Sequence, residues 1–215
     1  MMEQNFYSIA EAFEYEIEIK KSRFITYLMP IDSEEQAQQL IGRIKKEHYK
    51  ANHHCSAYVL NEDASIQRMS DDGEPSGTAG VPMLEVLKKQ ELTNILAVVV
   101  RYFGGTKLGA GGLVRAYSGA VSEALANAVL IQNITQSIIE LTLSYAQVDA
   151  FQYHLAKNEI EATVLDTQYT DKVSYQLAID LSKVERVKEY LLSLFNGQFE
   201  WQEIGEQRVN IPINR

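Results

Sequence analysis

Hydrophobic and polar positions alternate with period two over residues 14–20 (EYEIEIK), where Tyr15, Ile17 and Ile19 sit between charges. Strand-type residues resume over 23–29 after a break near Lys21 and Ser22, so the pattern predicts two half-buried strands. From Asp32, a residue suited to an N-cap, Ala37, Leu40, Ile41 and Ile44 recur at helical spacing. Lys45 and Lys46 fall where a helix dipole favours cations, and this helix is predicted to end near His48. Residues 55–60 read as a strand, 66–69 as a weaker one, and 80–89 as a helix with Pro82 in its first turn. The run 95–102 (ILAVVVRY) is almost continuously apolar and β-branched, as a central strand buried on both faces requires. After a glycine-rich stretch, Leu113, Ala116, Tyr117, Ala120, Val121, Ala124 and Leu125 line one face of a long helix ending near Ala128.

The signals then restart: strand (137–144), helix (147–157), strand (161–169), strand (172–181), helix (183–195), strand (199–204). That order is the split β-α-β of a ferredoxin-like sandwich. Asn133 to Thr135 is the natural boundary, which gives an N-terminal domain over 1–132 and a C-terminal domain over 133–215. The fold class expected is α+β in two domains.

Composition narrows the function. The 215 residues are 46% apolar and 23% charged, an ordinary globular mixture. No apolar run approaches the roughly 20 residues of a membrane span, and the acidic start of the chain does not resemble a secretion signal, so a soluble, cytoplasmic protein is expected. Cys55 is the single cysteine, which leaves no intramolecular disulfide and fits a reducing compartment. The net charge of -9 argues against a generally basic nucleic-acid coat protein and leaves room only for a local basic patch.

Three segments carry candidate chemistry. Eight of the 12 glycines fall between Gly73 and Gly112, and no acid occurs between Glu91 and Glu123. Within that window Arg101, Tyr102, Gly104, Gly105, Lys107, Gly109, Gly111, Gly112 and Arg115 run from a buried strand through glycines into a helix. This reads either as a tight turn with close helix packing or as an anion site on a helix N-terminus. It has neither the Gly-Lys-Ser/Thr ending of a P-loop nor the dinucleotide spacing. The second segment, SDDGEPSGTAG (70–80), gathers Asp71, Asp72 and Glu74, which either bind a divalent cation or cap a turn. The third places His53 and His54 beside Cys55 at a strand start, where adjacent imidazoles point to opposite faces. Cys55 is expected to be buried and inert. Lys45, Lys46 and Tyr49 add a cationic stretch with a ring able to stack on a base, or simply a solvated helix end.

The motifs Lys21-Ser22-Arg23-Phe24, His53-His54-Cys55-x-Ala57-Tyr58, Asp71-Asp72-Gly73-Glu74-Pro75-x-Gly77-Thr78-Ala79-Gly80 and Arg101-Tyr102-Phe103-Gly104-Gly105, followed by Leu108-Gly109-x-Gly111-Gly112-Leu113-x-Arg115-Ala116-Tyr117, resemble the YigZ/IMPACT family in order. The resemblance covers about residues 17–128, and the region after Asn133 is similar to the small C-terminal domain of bacterial members. It implies an N-terminal β-α sandwich with the fold of the second domain of a small-subunit ribosomal protein, and a C-terminal domain like the last domain of elongation factor G. It also implies a tie to translation, since eukaryotic relatives dampen an amino-acid-starvation kinase by competing for its activator. The partner-binding RWD domain of those relatives is not seen in this sequence, so the kinase role is not expected here.

The reading is therefore a non-enzymatic protein that binds RNA or the ribosome, or a protein partner in translation control, with no cofactor, metal or membrane. Arg101, Lys107 and Arg115 would contact phosphate, and Arg23, Lys45, Lys46 and Tyr49 would extend the surface. Arg101 has the alternative of pairing across the fold with Asp71 or Asp72. The rival is a hydrolase-type enzyme on a small anionic substrate, with His53 or His54 as acid or base and Asp71, Asp72 and Glu74 as metal ligands or bases.

Overall fold

The computed structural model describes residues 5–213. The chain forms two compact units, one reaching Asn133 and taking in the residues from Asn210 onward, the other spanning Ile134–Val209. In the first unit β1 (Phe6–Ile9) is followed by β2 (Phe13–Ile19), β3 (Ser22–Pro30), α1 (Glu34–Glu47), β4 (His53–Leu60), β5 (Ile66–Ser70), α2 (Gly80–Lys89), β6 (Ile95–Tyr102) and α3 (Ala110–Asn127). β7 (Leu130–Leu143) begins in this unit and runs into the second, which continues with α4 (Tyr145–Ala156), β8 (Thr163–Tyr169), β9 (Val173–Asp180), α5 (Val184–Phe195) and β10 (Glu200–Ile213).

An antiparallel sheet of order β2-β3-β6-β4-β5 forms the centre of the first unit. Its middle strand β6 is buried from Ile95 through Arg101, which accounts for the absence of polar alternation in its sequence. The two faces close separate cores. Ile25, Ile41, Ile44, Leu96 and Val98 pack under α1, while Phe24, Leu87, Val99, Tyr117 and Val121 pack under α2 and α3. The hairpin between β2 and β3 turns at Lys20 and Lys21, both in the left-handed region (φ 48° and 65°), as the two-residue loop closing Ile19 on Ser22 demands. Ser33, not Asp32, caps α1: its Oγ accepts the Gln36 N–H, and the Asp32 carboxylate accepts the Ser33 hydroxyl instead.

Two pieces of this unit have no counterpart in the sequence reading. β1 is four residues long and pairs antiparallel with the start of β7, Phe6 opposite Asn133 and Ile9 opposite Leu130. β7 therefore starts seven residues before the predicted 137.

In the second unit the sheet runs β10-β7-β9-β8, with α4 and α5 over a core of Ile139, Leu141, Phe151, Leu177, Leu191 and their neighbours. The β-α-β-β-α-β order and this strand sequence are those of a ferredoxin-like sandwich. Its last strand extends to Ile213 rather than stopping near 204.

Candidate nucleic-acid interface

Strand direction gathers the segments singled out by sequence at one end of the first sheet. Arg23, the second residue of β3, lies opposite Tyr102, the last residue of β6, and His53 starts β4 opposite Arg101. The N-terminus of α3 follows β6 through residues 103–109, and the N-terminus of α2 is tied to the end of β5 by Asp71.

The glycines divide into two kinds. A Cβ on Gly104 would lie 2.0 Å from the carbonyl carbon of Lys21, one on Gly80 2.9 Å from the Ser70 nitrogen, and one on Gly112 3.0 Å from Leu108 Cβ. These three allow close packing. Gly105 and Gly109 have φ of +84° and +73° and face open space, and a Cβ on Gly111 would meet only the Arg115 guanidinium, at 3.9 Å. Gly109 is the N-cap of α3 and supplies no side-chain cap, so the N–H groups of the first turn are directed at an unobstructed surface. Lys107 and Arg115 are exposed there, and neither forms an ion pair among the described residues.

Arg101 is placed differently from the phosphate-contacting role expected of it. Its side chain is buried, and its guanidinium meets Glu74 Oε1 at 2.6 Å, not Asp71 or Asp72. Tyr117 donates its hydroxyl to the same oxygen at 2.8 Å. A buried guanidinium so bound holds the Glu74 loop, β6 and α3 together and is withheld from a surface ligand. Arg23 and Lys45 are also engaged, Arg23 in a two-bond pair with Glu16 (2.7 and 2.8 Å) and Lys45 with Asp72 (2.6 Å). Lys46 is exposed and forms no ion pair among the described residues, and Tyr49 is exposed with Lys50 over its ring. Tyr102 faces the other side, where its hydroxyl and that of Tyr27 bracket the His48 imidazole at 2.9 and 2.7 Å.

The carboxylates of the 70–80 segment are all employed within the fold. Asp71 accepts the N–H groups of Gly77, Ala79 and Gly80 and so caps α2 from a distance. Burial works against its charge, but those three donors outweigh it and hold the carboxyl below its ordinary value. Asp72 is likewise opposed by burial and held down by Lys45 and the His54 N–H. His53 Nδ1 donates to the Asp72 carbonyl, leaving Nε2 3.8 Å from Glu74 Oε2, while His54 points to the opposite face and donates from Nε2 to the His48 carbonyl. Among the described residues no group of three or more His, Cys, Asp or Glu could hold a metal ion. Burial pushes the Cys55 thiol up to about 12, so it is not a nucleophile at neutral pH.

The second unit has no such cationic end. Residues 134–209 carry 6 basic and 12 acidic residues, and Lys172, Lys183 and Arg186 are ion-paired with Glu200 and Glu161. Among the described residues no helix is long and apolar enough to cross a membrane.

A unit built on one five-stranded antiparallel sheet, with a glycine-rich, partly unpaired cationic end, joined to a ferredoxin-like unit, defines a two-domain α+β protein of the kind the motifs suggested. The Impact N-terminal domain family matches residues 20–125, and a domain of unknown function (DUF1949) matches residues 141–198. The chain is 41% identical over 202 residues to IMPACT family member YvyE of Bacillus subtilis, covering 94% of this chain and 92% of that protein. It is 37% identical over 191 residues to IMPACT family member YigZ of Escherichia coli, covering 88% and 93%. A crystal structure described as that of a hypothetical protein superposes with a TM-score of 0.59 at 34% identity, over 94% of this chain and 98% of that one. The chain belongs to the IMPACT family.

Proposed function

We propose that this protein acts in translation, in the cytoplasm, by binding RNA or an RNA surface of the ribosome through the α3 end of its first unit, without carrying out chemistry. The tie to translation rests on family membership. The nucleic-acid reading rests on one observation: Lys107 and Arg115 flank the open first turn of α3 and have no carboxylate partner among the described residues. Asp71, Asp72 and Glu74 are each engaged inside the fold. That engagement supports the binding reading over the hydrolase one, which would call on the same carboxylates as ligands or bases.

Affinity for RNA measured against salt tests this. Lys107→Ala and Arg115→Ala should each weaken binding and lower the magnitude of the salt slope by about 0.7 on a single strand, alike on unrelated sequences. Unchanged affinity and slope in folded variants would overturn the reading, and a partner captured from lysate that survives nuclease would favour a protein-binding regulator.

A further inference from the structure

Phe103 is the first residue after β6 and is 45% exposed. A phenyl ring on a polar loop is costly to leave in water, and nothing in the core requires this one. It is nevertheless fixed at several points. Its N–H donates to Asn52 Oδ1 at 2.8 Å, and the next residue, Gly104, sits against the Lys21 backbone with its own N–H on Ser22 Oγ at 3.1 Å. The Arg101 guanidinium lies 5.5 Å from the Phe103 ring centroid and 5.4 Å from that of Phe24, bridging a surface ring to a core ring. Glu74 fixes that guanidinium in turn. The ring is thus ordered before any ligand arrives, which lowers the entropic cost of using it.

Its surroundings select the ligand. Residues 104–107 are Gly, Gly, Thr and Lys, so Phe103 is not part of a contiguous apolar patch on its loop, as a protein partner would need. Lys21 on the adjoining hairpin and Lys107 four residues on are exposed and without ion pairs among the described residues. One isolated flat ring bordered by free cations matches one base flanked by phosphates. The geometry points to Phe103 as a stacking platform for an unpaired base, so that the ligand of this end is single-stranded rather than duplex RNA. This inference rests on the nucleic-acid reading above. Duplex RNA keeps its bases stacked on one another and offers none to a loop ring.

The test compares an unstructured single-stranded RNA and an RNA duplex of equal length, binding to wild type, Phe103→Ala and Phe103→Leu, with thermal melts to confirm folding. Wild type should prefer the single strand. Phe103→Ala should lose about 5- to 100-fold on the single strand with an unchanged salt slope, because no phosphate contact is removed. Phe103→Leu, which keeps a side chain over Arg101, should show a loss on the single strand without loss of fold. In a Trp201→Phe background, Phe103→Trp should be quenched by the single strand. Equal wild-type affinity for both RNAs, or undiminished single-strand binding by the two Phe103 variants, would overturn the stacking role and leave the anion site standing. Failure of wild type to bind either RNA would overturn both.

Discussion

Glu74 and Arg101, 27 residues apart in sequence, meet at 2.6 Å with both side chains almost wholly removed from water. One comes from a loop and the other from the central strand, and Tyr117 of α3 joins them on the same carboxylate oxygen. Removing one member strands a charge. Glu74→Ala should cost about 3–5 kcal/mol in urea unfolding, whereas Glu74→Leu with Arg101→Met should recover most of that loss. A single variant as stable as wild type would show that the pair contributes nothing.

The two kinds of glycine predict opposite outcomes for one substitution. Gly104→Ala should destabilise the fold markedly, because its methyl would meet the Lys21 backbone at 2.0 Å. Gly111→Ala meets nothing closer than 3.9 Å at a helical position and should be neutral or stabilising by up to about 1 kcal/mol. Denaturation midpoints of both variants check this, and equal effects would contradict it.

Acid should weaken the first unit through Asp71 and Asp72. Both carboxyls are held below the ordinary 3.8 in the folded chain, so their stabilisation is full above that value and disappears as pH falls below it through the folded pKa. Asp71→Asn should be less stable at pH 7 by about 1–2 kcal/mol, the scale of a lost helix cap, and its stability should fall less steeply below pH 4. Unfolding free energies across pH 2–7 read both effects; parallel curves would exclude Asp71 as a source of the acid sensitivity.

Cys55 should react only when the protein opens. Its side chain is fully buried, its thiol donates to the Asp71 carbonyl at 3.0 Å, and burial raises it to about 12. Alkylation at pH 8 should follow the urea unfolding curve, and under the proposed function Cys55→Ala should leave RNA affinity unchanged. Rapid labelling of the native protein would contradict its burial.

Much of this architecture is visible in the sequence where one periodicity dominates. Alternation in β2, the unbroken apolar run of β6 and the 3.6-residue spacing of α1 and α3 each follow from which faces those elements bury. β1 escapes because four residues carry too little pattern, and its place depends on a partner strand more than 120 residues later. The glycines of the candidate site show why a motif alone is ambiguous: Gly104 and Gly112 answer to packing, Gly105 and Gly109 to backbone conformation, and only the neighbouring atoms tell them apart. Arg101 has the same difficulty: the sequence allows either a phosphate contact or a pair with Asp71 or Asp72 across the fold, and the structure places Glu74 beside it. Phe103 follows a buried strand, where an aromatic is ordinarily core, and only the structure shows it 45% exposed.

The strand pair of β1 with the start of β7 ends at Asn133, whose side-chain amide donates to Asn210 Oδ1 at 2.6 Å. The points at which the chain leaves the first unit and returns to it are therefore neighbours. In topological terms residues 134–209 are an insertion into a closed host, and a short Gly-Ser bridge from Asn133 to Asn210 should excise them while leaving every strand of the host paired. Truncation after residue 130 has a different meaning, because it removes three of the four partners of β1. The excised host would also carry Lys107, Arg115 and Phe103 without the acidic remainder of the chain, a form in which the proposed RNA-binding end can be tested by itself.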